Sequence, residues 1–449
     1  MGENEVIPDN AFLLVGGTVV NQYSIEKKDL AFNNGKIEAI GNLKQSNFDG
    51  YRVINANGKY ILPGGIDPHV HLSLPTPAGN SSDDFISGSR AALSGGTTSI
   101  IDFVTPRHGQ SLVSALQLRR IEAGRSLCNW KLHLGISEWN EKVKDELLYC
   151  LRNEGITSIK AYLAYTDTIG ITISELREVM ELVAGENGIV LVHCESGELI
   201  NEFRKKFIQE KKTQAFYHPL SRPAETEIES IREVIELSEE TNCPVYIVHT
   251  STGKGAELIL EAKQRGLRVS GETCIQYLIL TDEVYEASKS PEEILPYIIS
   301  PPIRSQQQQL HLWEALKNGT FDTVATDHCP FNLHGQKDAG LHDFTRIPNG
   351  AGGIEYRLSL LYTYGVLSGI LDMQQFVKLT SSNAAELFGW ANSKGKLVKG
   401  YDADLIVWNP NTTGIINRET QVQCCDSNIY EGIPVKGKAE WVFIGGKML

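Results

Sequence analysis

The chain has 449 residues, 41% of them hydrophobic and 22% charged, with a formal net charge of −13. This length suits one large α/β barrel or two to three smaller domains, and the apolar fraction supports a full-sized core. Acidic residues scattered among basic ones argue against nucleic acid, which proteins grip with clustered Lys and Arg, and no apolar run reaches the length of a bilayer span.

In chain order, Met1–Glu5 is acidic and has no apolar stretch behind a basic head, so no secretory signal is expected. The eight cysteines form no C-x-x-C pair, which fits reduced thiols in a cytoplasmic protein. Residues 11–57 hold short alternating strands with turns at Asn34-Gly35, Gly41-Asn42 and Asn57-Gly58. The tail resembles this part, with apolar strands at 404–408 and 440–444 before Gly445-Gly446. Neither end has strands enough to cover a sheet face alone. The expected arrangement is a small β-sandwich domain built from residues 1–59 and 397–449, with residues 60–396 inserted between them.

The insert alternates strand and helix signals. Short apolar, β-branched runs stand at 61–66, 97–104, 130–136, 157–163, 189–194, 244–250, 267–273 and 323–327. Between them lie helical spacings at 83–93, 111–122, 173–183, 225–240, 255–265 and 306–316. The glutamines 306–309 read as the solvated start of the last of these. A doubly wound sheet would show the same alternation. Eight strands, and polar residues at the strand ends, favour a TIM-like (β/α)8 barrel.

Those polar residues carry the chemistry. In Asp67–His71 (DPHVH), two histidines stand two apart on a strand, so both imidazoles leave from one face. Neutral imidazole is a common metal ligand, though an H-x-H alone is weak evidence. His193 follows the apolar run 189–192, His249 follows 245–248, and Asp327 follows 323–326. One such histidine is more often a hydrogen-bonded core residue. Four histidines and an aspartate at the carboxyl ends of four strands converge on one mouth in a barrel. Lys160, mid-strand in 157–162 (TSIKAY), either reaches out to the rim or is paired or chemically altered.

Several linked motifs carry a resemblance. They are residues 64–71 (GGIDPHVH), 159–165 (IKAYLAY), 300–304 (SPPIR), 325–331 (ATDHCPF) and 347–350 (IPNG). In this set the chain resembles the dihydropyrimidinase and hydantoinase branch of the cyclic amidohydrolases, metal-dependent hydrolases, over nearly its whole length. The resemblance implies two divalent ions, zinc or alternatively manganese or cobalt. His69, His71 and Asp327 would bind the more buried ion, and His193 and His249 the more exposed one. Lys160 would bridge both as a carbamate formed with carbon dioxide, which removes the cost of an ammonium beside two cations. A hydroxide shared by the ions would attack. Asp327 would also relay the proton to the leaving nitrogen, and Tyr165 would donate to the developing oxyanion. Ser300 and Asn349 would hold the ring amide. His133 reads as support for the ligands or a core residue, and His328 as a prop for its loop. His108, His218, His311, His334 and His342 read as surface or loop residues.

The resemblance also narrows the ring. Dihydroorotase-like members carry a carboxylate-binding arginine two residues after the second histidine, where this chain has Ser73. The loop 72–77 does not obviously match allantoinases, and an allantoinase or dihydroorotase-like cyclic amidase with the same two-metal site stands as the alternative. Deaminases of the superfamily lack the bridging lysine, and in non-catalytic scaffold relatives the ligands are replaced. The expected substrates are dihydropyrimidines or 5-substituted hydantoins, small molecules opened to N-carbamoyl amino acids without nucleic acid or membrane partners. Residues 74–80 are small and polar where relatives present bulky apolar groups, which leaves substituent size open. The resemblance implies a homo-oligomer, and dimer and tetramer both stay open because the chain ends at Leu449 without the longer tail that locks many relatives' tetramers.

Overall fold

Eight parallel strands pair in chain order: Gly65–Val70, Thr97–Val104, Asn129–Gly135, Ser158–Tyr162, Ile189–His193, Val245–Ile247, Val269–Cys274 and Thr323–Ala325. The computed structural model describes residues 10–286 and 288–449, so the acidic segment 1–5 lies outside the described residues. Strands covered by helices outside and side chains inside are apolar throughout, and Thr97–Val104 is buried at every position. The crossover helices are stopped and started by local chemistry. Asp84 caps Phe85–Ser94 and Thr172 caps Ile173–Gly185, each in a reciprocal capping box. Helices Glu141–Asn153 and Gly197–Gln209 fill two further crossovers, with apolar stripes diluted by charge.

The termini form one mixed sheet of eight strands. Phe12–Asn21 lies between Ser24–Asn33 and Tyr60–Pro63, and Leu405–Ile415 extends the sheet from Tyr60–Pro63. The sheet encloses its own core, in which Phe12 stacks on Phe32 at 5.3 Å and Phe443 packs edge-on to both. Its other side meets the barrel through Trp408, whose ring lies 5.5 Å from that of Tyr362.

One expected strand is two. The apolar run 61–66 is split at Gly64: Tyr60–Pro63 pairs in the terminal sheet, and Gly65–Val70 begins the barrel. Gly64 makes the transfer possible, because a Cβ there would lie 2.1 Å from Thr98 Oγ1. Hydrophobicity is continuous across the change of sheet, so the boundary leaves no mark in the pattern.

The first and eighth strands share no ladder among the described residues. A bridge between Val70 and His328 joins their ends. Below it, the fully buried guanidinium of Arg357 donates to Ile66 O at 2.9 Å, Val324 O at 3.0 Å and Thr97 Oγ1 at 3.1 Å. Asp67, 3.8 Å away, supplies the counter-charge. Arg357→Met keeps bulk but strands two carbonyls and a carboxylate in the core. We expect a stability loss of about 3–5 kcal/mol in urea denaturation. A loss below about 1 kcal/mol would show that the seam closes without the guanidinium.

Candidate metal centre

The first barrel strand ends in His69 and, one turn of the pleat later, His71. Both rings point into the mouth, where His69 Nε2 and His71 Nε2 lie 3.2 Å apart. Asp327 Oδ1 stands 3.1 Å from each. Donors at about 2.0–2.1 Å from a tetrahedral ion are about 3.3 Å from one another, so this near-equilateral triangle matches one face of such a site. Asp67 brings its corners together. It receives the Thr326 hydroxyl at 2.7 Å and the His69 amide at 3.2 Å, tying the first strand to the turn that carries Asp327.

A second pair stands on the fifth and sixth strands. His249 Nε2 is 2.9 Å from His193 Nδ1, and both rings are buried. Strand register sets Tyr162 beside His193, which places Lys160 on the same inward face of the fourth strand. Lys160 is 1% exposed, and its Nζ has no hydrogen-bond partner among the described residues. Phe103 locates it: the ring lies 4.6 Å from that of His71, 4.8 Å from that of His69 and 5.2 Å from Lys160 Nζ.

Electrostatics prepare these groups. Burial pulls the Lys160 amine down to about 8. Burial also lowers His71, His193 and His249, keeping the imidazoles neutral. At His69 burial works downward, but the Glu272 and Asp327 carboxylates outweigh it and raise the ring to about 9, the signature of a spot arranged for positive charge. Burial opposes the ionisation of Asp327, yet His69 and His71 hold its carboxyl well below the usual range.

Two carboxylates fix the ring orientations. Glu272 Oε1 accepts His69 Nδ1 at 2.7 Å and the His249 amide at 2.9 Å, while Oε2 accepts the Tyr246 hydroxyl at 2.7 Å. Glu195 Oε2 accepts His193 Nε2 at 2.8 Å and Arg222 Nη1 at 2.6 Å. A donated Nδ1–H leaves the His69 Nε2 lone pair for an ion, and a donated Nε2–H frees His193 Nδ1. Neither glutamate stood out in sequence, although an acid inside an apolar strand end was a readable signal at Glu272.

The remaining expected residues also meet here. The Tyr165 ring lies 5.4 Å from that of His193, and the side chains of Ser300 and Asn349 lie near its hydroxyl. Asn349 Nδ2 donates to Ser300 Oγ at 3.0 Å. His133 is buried, with Nε2 3.0 Å from Pro68 O and Nδ1 2.7 Å from Ser158 Oγ, supporting the backbone beside His69. His328 props its loop through Asp83 at 3.0 Å. His218 corrects the sequence reading: it is buried, not superficial, with Nε2 2.9 Å from Ile299 O. His108, His311, His334 and His342 are exposed. Tyr165, His249 and Asp327 all have positive φ, at 61°, 39° and 51°, a costly backbone state for side chains of this size.

Comparison with known proteins gives consistent matches. Residues 60–449 match the Amidohydrolase family. The D-hydantoinase of Geobacillus stearothermophilus is 39% identical over 97% of this chain and 92% of its own length. The dihydropyrimidinase of Rattus norvegicus is 36% identical over 96% of this chain and 83% of its own. The crystal structure of dihydropyrimidinase from Brevibacillus agri superposes with a TM-score of 0.94 at 38% identity, covering 98% of this chain and 94% of that one.

Glu272→Gln should loosen His69 without touching an ion-facing atom. We expect metal affinity to fall about tenfold to a hundredfold, read as metal content after dialysis against graded chelator. Retention equal to the unsubstituted protein would show that Glu272 does not orient the ligand.

Proposed function

The chain belongs to the amidohydrolase family, in the branch of the D-hydantoinases and dihydropyrimidinases, and from that premise we propose the site's chemistry residue by residue. The protein hydrolyses the ring amide of dihydropyrimidines or 5-substituted hydantoins to N-carbamoyl amino acids. The observation that carries the assignment is the buried, unpartnered Lys160 amine among four imidazoles and Asp327.

The donor set fits two divalent ions of the zinc type, with manganese or cobalt suiting the same ligands. His69, His71 and Asp327 would hold one, His193 and His249 the other, and Lys160 both. Burial keeps part of the Lys160 amine unprotonated, the form that adds to carbon dioxide. The amine nitrogen forms a bond to the carbon of carbon dioxide, one C=O π bond opens and an N–H proton leaves. The neutral amine thus becomes an anionic carbamate that would serve both ions. When bound, the ions supply Lewis acidity and a water of lowered pKa.

The chain's own side chains then guide the reaction. Ser300 and Asn349 hold the ring amide against Tyr165. The attacking water forms a bond to the ring carbonyl carbon, and Asp327 accepts its proton. Tyr165, whose hydroxyl stays protonated because burial raises its pKa, donates to the carbonyl oxygen as charge builds there. The ring C–N bond breaks and Asp327 returns the proton to the departing nitrogen. A cavity of about 650 Å³, bounded by Ser73, Leu74, Thr105, Arg107 and His108, opens beside Phe103 and has room for a ring substituent of polar character.

A cytoplasmic setting and homo-oligomeric assembly belong to the same proposal. Eight free cysteines support the first, and Leu118 and Ile121, exposed on one helix, support the second. No helix among the described residues is long and apolar enough to cross a membrane.

Turnover of dihydrouracil, phenylhydantoin, allantoin and dihydroorotate tests the assignment. Ring opening of the first two should dominate, whereas preferred cleavage of dihydroorotate would overturn it. Lys160→Ala should lose bound metal and lower kcat by roughly a thousandfold or more, with partial recovery in short-chain carboxylates that stand in for the carbamate. Full activity in Lys160→Ala would rule out the bridge.

A further inference from the structure

Among the described residues Lys337 is, with Lys160, one of two fully buried lysines; it stands ten positions after Asp327 and has no carboxylate partner. Its Nζ donates to Ile298 O at 2.9 Å and to Pro296 O at 3.2 Å. Burial without a counter-ion pulls its pKa down to about 7, and it donates whether or not it carries the extra proton.

These acceptors belong to an unusual run of backbone. Tyr297 O receives the Tyr285 hydroxyl at 2.7 Å, Ile299 O lies 2.9 Å from His218 Nε2, and Pro301 O receives the Tyr277 hydroxyl at 2.8 Å. From Pro296 to Pro301, every carbonyl except that of Ser300 is held by a side-chain donor. Only the short 3-10 turn Leu295–Tyr297 constrains the start of this run, so side chains supply what a ladder would. Ile298 O is the junction, because it also accepts the Gly350 amide at 3.0 Å. One atom thus joins the backbone two residues before Ser300 to the backbone one residue after Asn349.

We infer that Lys337 is a positioning residue for substrate: by clamping Ile298 O, it sets Ser300 and Asn349 in register with each other, so that both meet the ring amide. This rests on the cyclic-amide reading above. Its effect should fall on ring binding more than on metal binding, because the clamp touches no ion-facing side chain.

Lys337→Met removes the donors at nearly constant length, and Lys337→Gln keeps donors on a stem one bond shorter, out of reach of both carbonyls together. For Lys337→Met we expect KM for dihydrouracil to rise about tenfold or more, with kcat within about threefold and metal content unchanged. Lys337→Gln should show a smaller rise of the same sign. Hydrogen–deuterium exchange should accelerate together in residues 295–303 and 346–352, a readout that needs no turnover. Should Lys337→Met fail to fold, Lys337→Gln carries the test through the same readouts. A KM within about twofold of the unsubstituted protein in a folded variant would overturn the clamp. So would loss of metal alongside kcat, or unchanged exchange in either segment. If the unsubstituted protein opened no cyclic amide, the functional reading would fail, and paired exchange alone would decide whether Lys337 joins the two segments.

Discussion

Glu272 is a carboxylate with no exposure to solvent, and it stays in place because buried donors from two other strand ends of the barrel close on it. His69 reaches it from the first barrel strand, and Tyr246 and the His249 amide from the sixth. A buried anion that lost one of these would be left with unmet desolvation, so the three donors have little freedom to drift. The consequence is geometric. One side chain of the seventh strand fixes a ligand from each half of the candidate centre, and the separation of those halves follows from the strand spacing between them.

The same dependence explains what the sequence made legible. His69 and His71 are legible because period-two spacing is a local property of one strand. His193, His249 and Asp327 are legible because each breaks an apolar run at its carboxyl end, and a barrel gathers such ends. Lys160 is legible as an anomaly, an ammonium where a strand wants an apolar residue. Their supports are not legible in this way. Glu272 meets His69 across 203 positions and Thr326 meets Asp67 across 259, so no local pattern relates the partners. His218 looked superficial for the same reason: its short helix, Tyr217–Leu220, is covered by a segment 81 positions later.

Fold boundaries obey a similar limit. The eightfold alternation is written in hydrophobicity because every barrel strand must be buried on both faces. The passage from terminal sheet to barrel at Gly64 is a change of partner, not of polarity, and burial continues through it. Closure of the barrel is also non-local. Arg357 lies beyond the eighth strand yet bonds to the first, and its position could not be inferred from an isolated basic residue in a helical segment.

Strain and support meet in the loop after the eighth strand. Asp327 adopts φ 51°, which turns its carboxylate back over the mouth, and such a conformation persists only where neighbours over-determine it. The neighbours are backbone. His71 N donates to His328 O at 2.8 Å and Ser82 N to Pro330 O at 2.8 Å, binding the loop to the segment after the first strand. Cys329 N donates to Ala351 O at 2.9 Å, and Gly353 N to His328 Nδ1 at 3.1 Å, binding it to the segment that follows Asn349. The residue assigned to carry the proton is therefore anchored on one side to the His71 backbone and on the other to the backbone that presents Asn349. Hydrolysis of a cyclic amide needs the attacked carbon and the departing nitrogen, neighbours in one ring, to face one proton carrier. In the proposed reaction, a loop stitched to both segments would hold that carrier between them.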